Sequence, residues 1–377
     1  MELTPKSIRR IELFVSNDIS HSSYLVTALD EFCNKNNLKL DLSLNIYGNE
    51  GRAHVLNNDL KITKHHFLKV CYVRLTLNTS KKLLLAFDFS DSDFFFSLKA
   101  LESADYYFKR TYTQNNVELV REKFKTKVLP LGIPFMVRPD KIKNRKRLKI
   151  YFILGNLFNA IKLDKILLSR LSKRYTKSTL EWESFITTRT LSDFQNYSKP
   201  KDLNSIFYQK RLFPNENSED TREVHRQRIG IVRLLKKQFP NYFIGGIKND
   251  KNLHTDYKDC ASSITGSQAE FLKITKESGI CIYTRGLANS IGWTLPEFMS
   301  QGKAIIAEKQ FVKFNEELVH GKHLLYFYNS KELEQNIKDL LSEPLKAERL
   351  SRNSRAYYEE NISPKIYFQN ILEKLNA

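Results

Sequence analysis

The sequence predicts an α/β protein of two domains, and three observations carry that expectation. Short apolar runs alternate with stretches of helical spacing along the chain, the rhythm of strands joined by helical crossovers in parallel sheets. The two halves share this rhythm without sharing a residue repeat. The length, 377 residues, suits two domains of roughly 150 residues or more, each able to bury its own core.

In the first half, Ile11 to Val15 reads as a strand. A helix is expected from about Ser22 to Asn34, because Leu25, Val26, Leu29, Phe32 and Cys33 fall on one face. Leu40 to Ile46 alternates as a strand does. Val70 to Leu77 and Leu83 to Phe87 are further strands. Phe94 to Ala104 reads as helix, Tyr106 to Phe108 as strand and Asn116 to Phe124 as helix. Val128 to Leu131 is a strand ending at the turn Gly132-Ile133-Pro134.

From Leu148 to about Arg174 the spacing is helical, and Tyr175 to Asn204, with Lys199-Pro200-Lys201, reads as a connection. The second half resumes with a strand at Ser205 to Tyr208, a helix from Thr221 to Phe239 and a strand at Tyr242 to Ile244. Gln268 to Ser278 is helical, and Ile280 to Thr284 is a strand. A glycine-containing turn and short helix fill 286–301, and Ala304 to Ala307 is a strand. Helices at Lys331 to Ser342 and Leu345 to Tyr358 follow. Pro364 opens a final helix to about Leu375.

Lys+Arg outnumber Asp+Glu by 61 to 42, a net charge of +19. Such an excess points to an anionic partner: nucleic acid, an acidic membrane surface or a phosphate-bearing ligand. Cys33, Cys71, Cys260 and Cys281 form no close pair, which excludes a CxxC metal or redox motif and suits a reducing cytoplasm. Met1-Glu2-Leu3-Thr4-Pro5 does not read as a secretory signal. No run reaches the roughly 18 apolar residues of a membrane span; Asn156 and Asn159 interrupt the nearest approach.

The most informative segment runs from Thr284 to Ile306: strand, small-residue turn Gly286 to Trp293, helix, Gly302, strand. The helix opening near Leu295 presents free N–H groups suited to a diphosphate, and Gly302 stands where a helix C-terminus favours glycine. Thr294-x-x-Glu297 also fits a capping box, which would need no ligand.

This segment resembles the C-terminal domain of GT-B glycosyltransferases, and the turn Gly286 to Trp293 is similar to that of bacterial surface-polysaccharide enzymes. The resemblance covers 205–375 and is weaker over 1–140, where Asp105 to Arg110 and Leu129 to Gly132 match. It implies two Rossmann-like domains facing across a cleft: 1–140 for the acceptor, 141–203 as a basic connection, and 204–377 for a nucleotide-sugar. The final helix would cross back to the first domain. It further implies a metal-independent glycosyltransferase of surface-polysaccharide or lipopolysaccharide assembly, with the nucleotide-sugar as substrate and no cofactor.

In the family a glutamate opening this helix binds the ribose, a role that falls on Glu297, with Ser290, Ile291 and Gly292 along the diphosphate. A carboxylate suits vicinal hydroxyls as a double acceptor. The retaining branch carries a second glutamate eight residues earlier. Here that position is Asn289, which argues against assigning retention. A basic residue for the diphosphate falls on Arg211 or Lys210, at the end of Ser205 to Arg211, and Arg is well shaped for phosphate. Arg228 is a third candidate, while Arg222, Arg226 and Lys236 read as a solvated helix face. Gly246 would lie near the nucleotide base.

Transfer with inversion needs a base for the acceptor hydroxyl. Two loops after strands qualify: Ser16 to His21, with Asp18 and His21, and Asp88 to Asp93, with Asp88 and Asp91. Burial at the end of its strand would raise the pKa of Asp88. Asp18 and Asp91 equally suit helix caps. Asp88-x-x-Asp91-x-Asp93 lacks clustered His or Glu and is not read as a metal site.

The basic run Lys141 to Lys149, leading into Ile150-Tyr151-Phe152-Ile153-Leu154, fits an anionic membrane surface or an interdomain helix with a solvated edge. The expected location is cytoplasmic, peripheral on the inner face of the plasma membrane. The competing reading is a basic protein that binds nucleic acid, or a nucleotide-sugar without turnover. No nucleic-acid-binding signature supports the first, and no nucleic-acid partner is expected.

Overall fold

The computed structural model describes residues 2–47, 50–163, 168–197, 200, 202–214 and 216–376; Lys199 and Lys201 of the expected connection lie outside them. The chain divides into two α/β units. One comprises residues 1–191, 312–315 and 361–377, the other 192–311 and 316–360.

The first unit opens with β1 (Ile8–Val15), α1 (Ile19–Lys35) and β2 (Leu40–Leu44), with β1 and β2 parallel. A hairpin of β3 (Arg52–Leu56) and β4 (Asp59–Thr63) follows, which the sequence reading did not anticipate. Its two-residue turn, Asn57-Asn58, has φ of 51° and 58°, the left-handed pair such turns require and that asparagine tolerates. Next come β5 (Val70–Leu77), β6 (Lys82–Asp88), β7 (Phe95–Ser97), α2 (Leu98–Ser103), β8 (Tyr106–Lys109), α3 (Gln114–Lys123) and β9 (Lys127–Pro130). The main sheet has the order β2-β1-β5-β6-β8-β9, and β4-β3-β7 form a separate sheet. The expected helix at 94–104 therefore begins as a strand, because Ala53 and His54 pair with Phe96 and Phe95.

The sheet departs from the all-parallel expectation at one strand. β5 runs antiparallel to both β1 and β6. The loop from β5 to β6 is a tight turn, with Leu77 N–H bonded to Lys81 O at 2.8 Å. A parallel pair needs a crossover of a dozen residues or more. As a result Lys69, just before β5, lies at the same edge as the carboxyl ends of β1 and β6.

The expected helix from Leu148 and the start of the expected connection fall in α4 (Arg145–Leu163) and α5 (Leu168–Thr187). In α5, Ser178, Trp182 and Phe185 are buried at helical spacing, and Trp182 lies 6.5 Å from the Phe152 ring of α4. The short α6 (Leu191–Gln195) follows at the division between units.

The second unit contains β10 (Asp202–Lys210), α7 (Glu219–Gln238), β11 (Phe243–Ile247), α8 (Gln268–Glu277), β12 (Ser278–Tyr283), α9 (Thr294–Ser300), β13 (Ala304–Glu308), β14 (Leu325–Phe327), α10 (Ser330–Ser342) and α11 (Pro344–Tyr357). Its sheet, β11-β10-β12-β13-β14, is parallel throughout. Its strands are apolar on both faces: Ile206 and Tyr208 pack with Ile231, Val232 and Leu235 of α7, and Ile280, Ile282 and Ile306 extend that core. Helix coverage of both faces explains these unbroken runs.

The last helix, α12 (Pro364–Asn376), belongs to the first unit and packs on α1. Phe368 meets Phe32 at 5.0 Å and Tyr367 meets Tyr24 at 4.8 Å between ring centroids.

In the second unit the chain enters at β10, moves outward to β11, then returns to the other side of β10 as β12. The strand order thus reverses between β10 and β12. In open α/β sheets that reversal leaves a crevice at the carboxyl ends of the two strands.

Candidate functional site

The residues at that crevice are the end of β10, with Lys210 and Arg211, and the loop after β12, from Thr284 to Trp293. Lys210 is half-buried; its Nζ donates to Thr284 O at 3.2 Å and Thr294 Oγ1 at 3.1 Å. The ammonium also stands 4.9 Å from the centroid of the Tyr283 ring. Burial, with Arg228 nearby, pushes its pKa down to about 7, while Glu308 and Glu297 oppose the fall.

Arg228, from α7, is buried at 4% exposure. Its guanidinium donates to Arg211 O at 2.6 Å and Arg285 O at 3.1 Å, tying together the two loops that flank the crevice. It lies 5.0 Å from the Phe213 ring. Its Nε is buried and has no hydrogen-bond partner among the described residues. Burial lowers its pKa. Arg211 is exposed, 5.8 Å from the same ring. Among the described residues, no carboxylate stands within ion-pair distance of Lys210, Arg211 or Arg228. Lys210, Arg211 and Arg228 thus cluster at this crevice without an ion-pair partner among the described residues, and Glu308 and Glu297 are the carboxylates whose field reaches Lys210.

The turn after β12 is held by Arg285, which the sequence reading passed over. Its guanidinium meets Asp220 at 2.5 Å, Glu223 at 3.0 Å and Glu308 at 3.5 Å. Asp220 also accepts Ala288 N–H at 2.8 Å. Gly286 N–H bonds Ser290 O, Ser290 N–H bonds Leu287 O, and Gly292 N–H bonds the Tyr283 hydroxyl at 2.7 Å. These amides are engaged within the protein, so the cations at this edge are the groups that offer charge to a ligand. Asn289 is exposed in the left-handed region at φ 55°, which asparagine tolerates. Ser290 and Ile291 are buried beneath the turn.

Glu297 is buried at 3% exposure in α9. The capping box is not formed: Trp293 is the N-cap, no side chain caps the helix, and Thr294 accepts from Lys210 instead. Gly302 has φ 53° just beyond α9, as its position after the helix leads one to expect. Gly246, next to last in β11, has φ 135°, and a Cβ there would stand 2.6 Å from Cys260 O. The approach of that backbone accounts for the glycine.

Two more groups at this edge escaped the sequence reading. Phe213 lies between Arg228 and His225, whose ring stacks at 6°. His225 Nε2 accepts Phe213 N–H at 2.8 Å, and Nδ1 meets Glu216 at 2.6 Å. Neither feature follows a recognisable spacing.

In the first unit, the carboxyl edge of the sheet gathers Asp18, His21, Lys69, Asp88, Asp91, Lys109 and Arg110. Asp88 is fully buried. It accepts from Lys109 Nζ at 2.8 Å, the Tyr107 hydroxyl at 2.7 Å and Ser90 N–H at 2.7 Å. Asp91 pairs with Lys69 at 2.8 Å and Arg110 at 2.7 Å. Although burial opposes it, these cations hold its carboxyl down to about 2. Asp18 caps α1 through His21 N–H at 3.0 Å and meets His21 Nδ1 at 2.9 Å. His21 holds the Asp18 carboxyl low against its burial. Asp93 takes Thr113 and Asn116 instead of joining Asp88 or Asp91. Among the described residues no three His, Cys, Asp or Glu are grouped to hold a metal ion.

The basic run lies at the start of α4, where Arg145, Lys146 and Arg147 are exposed. Ile150, Leu154 and Phe158, spaced four apart on that helix, are 53%, 38% and 50% exposed. Among the described residues, no helix is long and apolar enough to cross a membrane.

No protein-family model and no curated protein matches the chain. Solved structures similar to it include glycosyltransferases. The C-terminal domain of the group 1 family glycosyl transferase LpcC of Francisella tularensis is 13% identical. It covers 45% of this chain and 91% of that one, at a TM-score of 0.30. A glycosyltransferase of Rickettsia africae is 15% identical over 72% of this chain and 76% of that one, at 0.35. Anabaena HepE in complex with UDP-glucose is 13% identical over 72% and 91%, at 0.36.

Proposed function

We propose that the protein is a GT-B-type glycosyltransferase that transfers a sugar from a nucleotide-sugar donor to a glycan or lipid-linked acceptor. The observation that carries this reading is the cluster of cations at the crevice of the second unit. Lys210, Arg211 and Arg228 stand there without a carboxylate partner among the described residues, at the point where a parallel sheet receives a nucleotide.

On this reading Lys210 and Arg228 meet the diphosphate, and Arg211 adds an exposed guanidinium. Their charge stabilises the nucleoside diphosphate as it leaves with the bonding electrons. Glu297 takes the ribose, with Ser290, Ile291 and Gly292 along the diphosphate and Gly246 towards the base. Asn289 faces the donor sugar in place of a carboxylate. The first unit holds the acceptor, with the proton acceptor among the groups gathered around Asp18, Asp88 and Asp91.

The resemblance of the turn from Gly286 to Trp293 supports an acceptor from bacterial surface-polysaccharide or lipopolysaccharide assembly. The cations and exposed apolar stripe of α4 support a peripheral position on an anionic membrane face in the cytoplasm. Side-chain cations carry the diphosphate charge, so no metal is expected to be needed.

The test is release of nucleoside diphosphate from UDP-glucose, UDP-N-acetylglucosamine and GDP-mannose, with bacterial envelope extract as acceptor and EDTA present. Acceptor-dependent release that Glu297→Gln lowers at least tenfold is expected. Salt-sensitive RNA binding without release from any donor would overturn the reading in favour of nucleic-acid binding.

A further inference from the structure

We propose that His225 is a positioning residue for the donor diphosphate: it fixes the backbone from which Arg211 reaches into the crevice. This inference rests on the nucleotide-sugar reading above and concerns residues of the second unit alone.

Two residues of one helix hold the segment that follows β10. His225 and Arg228 stand three positions apart on α7 and so share one of its faces. Arg228 donates to Arg211 O at 2.6 Å, and His225 Nε2 accepts the Phe213 N–H at 2.8 Å. Leu212, between these two bonds, is buried. The Phe213 ring lies parallel to the imidazole, with 5.9 Å between centroids and 6° between planes. The backbone on either side of Leu212 is thus pinned to one helix. Arg211 is the one cation of the three at this crevice that is exposed, and its direction follows from that backbone.

The tautomer follows from the partners. Glu216 stands 2.6 Å from Nδ1. A carboxylate only accepts, so Nδ1 carries the proton and Nε2 the lone pair. That lone pair is what the Phe213 N–H requires. Glu216 is held in turn, because Arg222 donates to its backbone oxygen at 3.0 Å. The His225 side chain is 4% exposed. An apolar side chain could fill the same space, but only an acceptor at the Nε2 position can also hold the Phe213 N–H.

Without that acceptor the Phe213 N–H loses its partner, and the segment is free to leave α7. A ligand then meets the competent backbone for only part of the time, and its affinity falls by that fraction. The loss falls on the phosphates, which Arg211 meets, and spares the contacts to base and ribose.

Two polar variants separate the acceptor from the ring. The amide oxygen of His225→Gln falls where Nε2 stands, whereas that of His225→Asn reaches only the Nδ1 position. Calorimetry with UDP, GDP, ADP and CDP identifies the diphosphate that binds, and ligand-observed NMR follows the matching nucleoside. His225→Asn should weaken the diphosphate about tenfold or more, equivalent to a backbone competent roughly one-tenth of the time. His225→Gln should stay within about threefold of wild type, and both variants should bind the nucleoside within about twofold of it. In the wild-type protein, nitrogen NMR of the His225 ring should find Nδ1 protonated and Nε2 bare. Equal diphosphate affinities in the two variants, a nucleoside affinity that falls in step with the diphosphate, or a wild-type ring protonated at Nε2 would overturn the proposal while the donor-site reading stands. A wild-type protein that binds none of the four diphosphates would remove the reading beneath it.

Discussion

Lys210 shows how a single side chain can report on the site. Its ordinary pKa near 10.4 falls to about 7 in the folded protein. Between these values the unfolded chain holds a proton that the folded chain lacks, so wild-type stability should rise with pH from about 7 to about 10. Lys210→Met should reduce this rise, to which Lys303, lowered to about 8 by burial, also contributes, as thermal unfolding across that range would show; an equal pH slope in the two proteins would contradict it. The same titration governs binding. A diphosphate favours the ammonium, so affinity should weaken as pH rises through 7, with proton uptake on binding measured by calorimetry in buffers of different ionisation enthalpy.

At this scale the sequence was informative about position: it placed Lys210 and Arg211 at a strand end and Gly302 just beyond a helix, as the structure has them. Arg285 was not legible, because its partners Asp220, Glu223 and Glu308 come from α7 and β13 and meet only in the folded unit. His225 and Phe213 were hidden for the same reason.

At the scale of elements, α4 carries the most unusual surface. Arg145, Lys146 and Arg147 occupy its first turn, where the helix dipole disfavours cations. The stripe of Ile150, Leu154 and Phe158 leaves apolar surface facing solvent. Neither feature serves helix stability, and both suit an anionic bilayer surface. Replacing Lys143, Arg145, Lys146 and Arg147 by Gln should release the protein from phosphatidylglycerol vesicles in co-sedimentation, with each lost cation worth about 1 kcal/mol. Unchanged co-sedimentation would leave these cations as a solvated edge.

Elements were most legible in the sequence where burial is two-sided, as in β10, β12 and β13. The first part of the connection expected after Tyr175 proved to be helix because Ser178, Trp182 and Phe185 form a sparse buried stripe among polar residues. The β3–β4 hairpin was missed because its signal is two asparagines in a turn. The antiparallel β5 depends on the shortness of one loop, which an apolar run does not reveal.

For the whole molecule, alternation of apolar runs and helical periods correctly indicated an α/β chain, and the structure divides it into two units. The net charge of +19 resolves into distinct parts: cations without an ion-pair partner among the described residues at the crevice of the second unit, a basic start to α4, and paired surface residues such as Arg222 with Glu219. On the reading proposed above, the crevice between β10 and β12 receives a nucleotide through its diphosphate. Calorimetric titration with the nucleosides, monophosphates and diphosphates of uracil, guanine, adenine and cytosine measures this. One base series should bind, with the diphosphate at least tenfold tighter than the monophosphate, and Lys210→Met should abolish that difference. Absence of binding in all four series, or a diphosphate preference that survives Lys210→Met, would contradict the claim.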